Sequence, residues 1–458
     1  MLDGLHHSAF NVGLWRKMLQ SFENQRMMAD NHITVFGDSL INDLFSNVQA
    51  NQGFTHFGVK VAHLQASVVV TLLPLQRRNL SNAIQNVFYK HIFKIWLKIS
   101  EISLILTPIM RILLWPISFL YSIVLTIRHK LYDWCILHSL RFEYPIIGVG
   151  NLNLGGTGKT PTVEYLINLL RENYRVGTLS RGYGRKTKGF QLADNQSTYE
   201  TIGDEPLQYF HKFPDVKIGV DEDRIHGVER LIIGKDTPDV ILLDDAFQHR
   251  RIKAGFDLLL TEYQHLYCND FLFPAGTLRD VKSAAKRADV IVVSKSPKVL
   301  TAEEKAQIIK KLRPKDGQKV FFSHLKYEPL KPLNETAKQF SANSTDSVLA
   351  FCGIANPKPF VEELEKHYKN VDFLQFADHH AYTENDVKAI LKRFEDLCGE
   401  KKIIVTTEKD AARLTNSPYF CQFETVPLYA LPIAVRFLEE EKFNEEILNY
   451  VRQNNHYC

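Results

Sequence analysis

The sequence predicts an α/β fold, a parallel sheet flanked by helices, and three observations carry that prediction. From residue 144 onward, short β-branched runs alternate with longer amphipathic stretches. The first run leads into a glycine-rich turn, "VGNLNLGGTGKTP" (149–161). The fourth ends in two adjacent carboxylates, "VILLDD" (240–245).

The elements follow in chain order. Residues 1–109 show weak periodicity and read as an extension of unknown role, with Met110 as a candidate translation start. The isolated "VFGDSL" (35–40) matches the first block of GDSL-type hydrolases, with Ser39 as the would-be nucleophile. A serine nucleophile needs a base held by a third group, and no later Gly-x-Asn-Asp block follows. Residues 110–143 hold "MRILLWPISFLYSIVLTIRHK" (110–130), in which 112–127 carries no charge and Arg111, Arg128 and Lys130 flank it. That run is shorter than the ~20 residues that cross a bilayer, and Pro116 interrupts it. A helix lying in a membrane interface is therefore expected, with a buried core helix or a longer anchor from about Ile99 as alternatives.

Residues 144–326 are expected to form the main sheet domain, with strands at "PIIGVGN", "VGTLS", "VKIGV", "DVILLDD", "FDLLLTE" and "DVIVVSK" and a helix at "TVEYLINLLRENY". Residues 327–347 turn rich in Pro, Asn, Ser and Thr and read as a linker. Residues 348–458 repeat the alternation ("SVLAFCGI", "VDFLQFA", "KIIVTT") and predict a second, smaller α/β domain.

Composition narrows the function. The 458 residues are 45% hydrophobic and 24% charged, enough for more than one buried core. A formal charge of +4 without a long basic run argues against a nucleic-acid partner and leaves a membrane surface open. The six cysteines are far apart with no C-x-x-C pair, so zinc and thiol redox chemistry are not indicated and a reducing cytoplasm fits. Nothing points to an obligate protein partner.

The glycine-rich turn is a phosphate cradle. In the pattern G-x-x-x-x-G-K-[ST], backbone N–H groups hold phosphates, the lysine reaches the outer ones and the hydroxyl meets Mg²⁺. Gly158, Lys159 and Thr160 match; Asn153 stands where the first glycine belongs, while Gly155, Gly156 and Thr157 complete the loop. A helix starting after it adds attraction for anions. Asp244 and Asp245, at the C-terminal edge of a strand, are the expected Mg²⁺ site, because adjacent carboxylates need a cation to coexist. Phosphoryl transfer further needs groups that orient or deprotonate an acceptor. The candidates are Asp204 in "GDEP", Gln248 and His249 in "DDAFQHR", Arg279 in "GTLRD", and His379 and His380 in "ADHHAY".

Taken together, "RHKLYDW", "VGNLNLGGTGKTP", "SRGYGR", "GDEP", "LLDDAFQHR", "PAGTLRD", "RADVIVVSK", "FADHHAY" and "VTTEKDAARL" resemble, in order, the tetraacyldisaccharide 4′-kinase family of lipid A biosynthesis. The resemblance runs from about Met110 almost to the C-terminus and leaves out 1–109. It implies a kinase that moves the γ-phosphoryl group of ATP to a lipid A disaccharide 1-phosphate at the cytoplasmic face of the bacterial inner membrane, held there as a monotopic or single-anchor protein. It implies that Lys159 and Thr160 hold the triphosphate and Mg²⁺, with Asp244 and Asp245 near the metal. Asp204 and His379 would activate the sugar hydroxyl, the carboxylate taking the proton and the imidazole supporting it, with Asp245 as the rival base. Gln248, His249, Arg279 and Asp280 would position the disaccharide or its phosphate, and Arg181, Tyr183 and Arg185 of "SRGYGR" would bind nucleotide or substrate. Two residues depart from the family's pattern: Ala246 where glycine is common, and Asp280 where glutamate is frequent. A nucleotide switch without a small-molecule acceptor is the rival function.

Overall fold

Every position of strand β1 (Ile146–Asn151) is buried, which is why it reads as an unbroken apolar run rather than an alternating one. The computed structural model describes residues 107–233, 236–342 and 345–454. Ser39 and the expected extension through residue 106 lie outside the described residues. From Pro108 on, the described residues form one compact unit.

The remaining strands of the main sheet are β2 (Val176–Ser180), β3 (Gln191–Leu192), β4 (Lys217–Val220), β5 (Val240–Asp244), β6 (Phe256–Glu262), β7 (Val290–Ser294) and β8 (Lys319–Tyr327). From β1 the chain moves outward through β2 and β4, returns to insert β5 beside β1, then builds β6, β7 and β8 on the other side. All these neighbours pair in parallel except the edge strand β3. The reversal of strand order lies at the C-terminal end of β1, where open α/β sheets bind ligands.

The second sheet comprises β9 (Lys331–Pro332), β10 (Ser347–Cys352), β11 (Asn370–Gln375), β12 (Lys402–Thr407) and β13 (Leu428–Leu431), in the spatial order β9-β13-β12-β10-β11. The expected linker 327–347 is largely built into this lobe. Its polar residues make a helix start: Asn334 caps the short helix Glu335–Gln339 through Ala337 N–H and donates to the carbonyls of Phe423 and Val426.

The chain then leaves the second lobe, which corrects the expectation that 348–458 is one domain. Strand β14 (Ile433–Phe437) pairs antiparallel with β8 and makes the main sheet nine-stranded. The last of the helices, Glu440–Asn454, seats Phe443, Ile447 and Val451 in the main core. Tyr450 Oη exchanges hydrogen bonds with both the N–H and the carbonyl of Ile146 at 3.1 Å. The returning segment has the apolar surface the main sheet needs at its edge, and pairing between distant segments leaves no local sequence mark.

The helices that position the site are α1 (Thr107–Asp133), α2 (Lys159–Leu170), α3 (Asp204–Lys212), α4 (Arg224–Ile232) and, in the second lobe, α5 (Lys358–His367), α6 (Glu384–Glu395) and α7 (Glu408–Thr415). Helix α1 keeps Pro116 inside it. It buries Ser118, Tyr121, Leu125, His129 and Tyr132 at helical spacing and exposes Ile112, Leu113, Trp115, Leu120 and Ile127 on the rest of its circumference. Its segment Arg111–Asp133 is, by length and composition alone, apolar enough to cross a membrane.

Candidate active site

The phosphate cradle forms where β1 meets α2. Gly155 and Gly158 adopt φ of 108° and 85°, a left-handed backbone that side-chain-bearing residues rarely reach, and Gly158 is the residue on which α2 begins. A neighbouring segment braces the loop: Leu154 N–H donates to Thr277 carbonyl at 2.6 Å, and Arg279 N–H to Leu152 carbonyl at 2.8 Å. Lys159 Nζ lies 3.2 Å from Asn151 Oδ1 and 3.5 Å from Asp245. Asn153, the residue in the first-glycine position, is buried and forms an isolated bridge with Leu278.

At the end of β5 the two carboxylates sit in contrasting surroundings. Asp244 is buried; its Oδ2 accepts from Tyr209 at 3.0 Å, and its Oδ1 has no hydrogen-bond partner among the described residues. Burial, reinforced by the charge of Asp245, pushes Asp244 up to about 6. Asp245, in a left-handed conformation with φ 52°, is gripped by both terminal nitrogens of Arg279 and lies beside Lys159. Burial would raise its carboxyl, but Arg279 and Lys159 outweigh that and hold it far below the usual range. A buried oxygen without a partner among the described residues, next to a carboxylate held ionised, fits a divalent cation; Thr160 is the second residue of α2, directly after Lys159. Among the described residues no three His, Cys, Asp or Glu side chains cluster as a metal cage, which suits Mg²⁺ held by one or two carboxylates together with phosphates.

The acceptor end is assembled across both lobes. Asp204 opens α3, and His379, with φ 58°, follows β11 in the second lobe. His379 Nδ1 lies 2.7 Å from Asp204 Oδ2. Arg413, buried on α7, donates to the same oxygen at 2.6 Å. Burial raises the Asp204 carboxyl, but the hydrogen bonds from His379 and Arg413 dominate and hold it well below the usual carboxylate range. An ionised partner places the imidazole proton on Nδ1, and Lys409 Nζ, 3.2 Å from Nε2, accords with a lone pair there. Arg413 Nη2 also stands 3.0 Å from Nδ1, with its bond directed to the carboxylate. The neighbouring His380 pairs with Asp386 at 2.9 Å and stacks on Phe376, so it supports its own lobe.

One charged knot joins this end to the phosphate end. Lys212, at the far end of α3, reaches Glu164 of α2 at 2.9 Å and Glu408 of α7 at 3.1 Å. Between them on α3, Tyr209 touches Asp244.

The other expected site residues divide. Arg279 faces the acid pair and Asn151. Gln248 Nε2 donates to Asn151 carbonyl at 2.7 Å, which holds the end of β1. His249 is pushed down to about 3 by burial and by the nearby Arg224 and Arg181, so it is neutral. Tyr183 is exposed, 5.7 Å from the His379 ring, and Arg181 is exposed on the same loop. Arg185 instead pairs with Glu222 at 2.7 Å. Asp280 corrects the expectation of substrate contact. It is 1% exposed, and its Oδ1 is engaged by His129 Nε2 at 2.6 Å and Val281 N–H at 2.8 Å, so it faces the protein interior rather than an open site.

Four participants were not singled out from the sequence: Asn151, which donates to Thr157 Oγ1 at 2.8 Å and accepts from Lys159 and Arg279; Tyr209; Arg413; and Lys409. The signal for the last pair was present in "VTTEKDAARL", whose basic residues read as an ordinary amphipathic helix.

Comparisons with known proteins identify the family. A family profile described as tetraacyldisaccharide-1-P 4′-kinase (LpxK) matches residues 110–452. The tetraacyldisaccharide 4′-kinase of Bacteroides thetaiotaomicron is 44% identical over 354 residues, covering 74% of this chain and 93% of the relative. That of Flavobacterium johnsoniae is 44% identical over 348 residues, covering 76% and 98%. Among solved structures, LpxK from Aquifex aeolicus, described as an apo form in complex with ATP, shares 29% identity across 75% of this chain and 99% of its own, with a TM-score of 0.57.

Proposed function

The chain belongs to the tetraacyldisaccharide 4′-kinase family and phosphorylates a lipid A precursor at the 4′ position, and from that premise we propose how its residues divide the reaction. ATP is the phosphoryl donor. The backbone N–H groups of the loop around Gly155, Gly156, Thr157 and Gly158, with Lys159 and the N-terminus of α2, hold its phosphates. Thr160, Asp244 and Asp245 would hold Mg²⁺, which supplies positive charge at the phosphates. Arg279 and Asn151 keep Asp245 and Lys159 in register.

At the acceptor end, His379 and Asp204 activate the 4′-hydroxyl of the disaccharide 1-phosphate. The low proton affinity of Asp204 favours the imidazole as the group that takes the proton, at Nε2, with Asp204 fixing Nδ1–H; this reverses the roles expected from the resemblance. Asp245 is the weaker candidate base, since it belongs to the metal-holding pair and lies beside Lys159 and Arg279, which hold its carboxyl far below the usual range. The proximity of Tyr183 to His379 supports a place for it, and for Arg181 on the same loop, at the acceptor end. Helix α1 has one face committed to the core and an apolar face outside, which supports a monotopic seat on the cytoplasmic face of the inner membrane.

The observation that carries the acceptor assignment is the Asp204–His379 contact, 2.7 Å between residues 175 positions apart. The test is a mass-spectrometric assay of the protein with Mg²⁺-ATP and a lipid A disaccharide 1-phosphate in detergent. The lipid is expected to gain one phosphoryl group, and Lys159→Ala to abolish the gain. ATP turnover with the lipid unchanged would favour the nucleotide-switch reading.

A further inference from the structure

The segment "RHKLYDW" at the end of α1 has no part in the reaction described so far, yet the structure ties it to the phosphate site. His129 is 8% exposed, and its Nε2 lies 2.6 Å from Asp280 Oδ1. Arg250 Nη1 donates to His129 carbonyl at 2.9 Å and approaches Nδ1 at 3.2 Å, which fixes the ring from its other side. Asp280 is buried and takes Val281 N–H and, at 3.4 Å, Arg287 as further donors. Its backbone neighbour is Arg279, whose guanidinium grips Asp245 and Asn151. Arg279 N–H also holds the phosphate loop through Leu152 carbonyl at 2.8 Å.

We infer that His129 is a positioning residue for phosphoryl transfer: by holding Asp280 it sets the backbone from which Arg279 reaches Asp245 and the Asn151–Lys159 pair. The geometry favours this over a purely packing role for two reasons. The contact is a short, buried bond to a carboxylate, the class whose loss costs most. It also ends one peptide unit from the guanidinium it would aim, and small displacements of such a group weaken charge stabilisation at the transferring phosphoryl. Nothing in His129 touches the reacting atoms. Its effect passes through Arg279, so it should disappear when Arg279 is absent.

The inference rests on the assignment of Arg279 to the phosphate site, and a double-mutant cycle separates the two. Steady-state kcat and the KM for Mg²⁺-ATP are measured for His129→Ala, Arg279→Ala and the double variant, with thermal melting of each. His129→Ala is expected to lower kcat/KM for ATP roughly tenfold to a hundredfold, the range for losing a hydrogen bond to a charged group. His129→Gln, which retains a side-chain donor, is expected to recover most of that loss. In the Arg279→Ala background, His129→Ala should cost less than about threefold more. Asp280→Asn, close to isosteric, repeats the cycle if His129→Ala does not fold. Multiplicative losses in the double variant, or a His129→Ala enzyme with wild-type kcat and KM, would overturn the inference while leaving the phosphate-site assignment intact. An Arg279→Ala enzyme with wild-type kinetics would instead remove Arg279 from the site.

Discussion

Lys159, at the start of the helix that follows β1, and Asp244 and Asp245, at the end of the neighbouring strand β5, reach the phosphate end within one lobe, whereas Asp204 and His379 meet at the acceptor end across two lobes, 175 residues apart. The first site is stabilised by the same parallel ladder that forms the core: β1 and β5 pair directly, and their C-terminal ends deliver loop and carboxylates side by side. The second depends on ion pairs over a joint, with Arg413 and Lys409 of α7 completing an environment that α3 begins. The difference teaches where each function is vulnerable. The phosphate end is braced within one lobe, by His129 and Asp280 behind Arg279, while the acceptor end can also be disabled by residues that only hold the two lobes in register.

Removing Lys159 should have the largest effect. Lys159→Ala is expected to lower kcat by about 10³- to 10⁵-fold, the range for a cation lost from a transferring phosphoryl group, read as product formation per enzyme. His379→Ala should follow, with kcat down roughly 10²- to 10⁴-fold while the dissociation constant for ATP changes little. Weakened ATP binding in that variant would break the division into two ends.

How the sequence anticipated these ends differs in the same way. The glycine-rich loop and "VILLDD" carry their chemistry in contiguous residues, so both the strand runs and Lys159, Asp244 and Asp245 were legible. Asp204 and His379 could be paired only through resemblance to a family, because nothing within "GDEP" or "ADHHAY" specifies the other. Arg413 was hidden as one cation on an amphipathic helix, although it is 3% exposed. Asp280 entered as a substrate ligand through the resemblance alone; its burial against His129 is a tertiary fact that nothing in "GTLRD" specifies. The return of β14 to the main sheet was illegible because strand pairing is non-local.

The joint itself offers a smaller test. Lys212→Met leaves Glu164, whose side chain is 5% exposed, without its cation. Destabilisation of about 1–3 kcal/mol is expected, with kcat falling more than ATP affinity, measured by thermal melting and steady-state kinetics. An equal loss at both ends would mean that the knot supports the whole protein rather than the joint.

The smallest effect concerns pH. His249, held to about 3 in the folded protein, gains a proton more readily when unfolded, where it titrates near 6.5. At this group the unfolded state thus binds more protons between about pH 3 and 6.5, and the group's contribution to stability is lost as pH drops through that window. It acts against the opposite contribution of the buried Asp244 and Asp257, which burial pushes up to about 6 and about 7. His249→Gln should flatten the decline in melting temperature between pH 6.5 and 4.5. An unaltered slope would assign the acid sensitivity elsewhere, with carboxylates such as Asp204, whose folded form resists protonation, contributing only below about pH 4.

The central claim is that Asp204 and His379 act as one unit across the lobes. The direct measurement is single-turnover phosphorylation of the lipid by Asp204→Asn, His379→Ala and the variant carrying both, at saturating Mg²⁺-ATP. The account predicts that the double variant is no slower than the slower single variant, within about threefold. Losses that multiply would contradict it and show two groups acting independently.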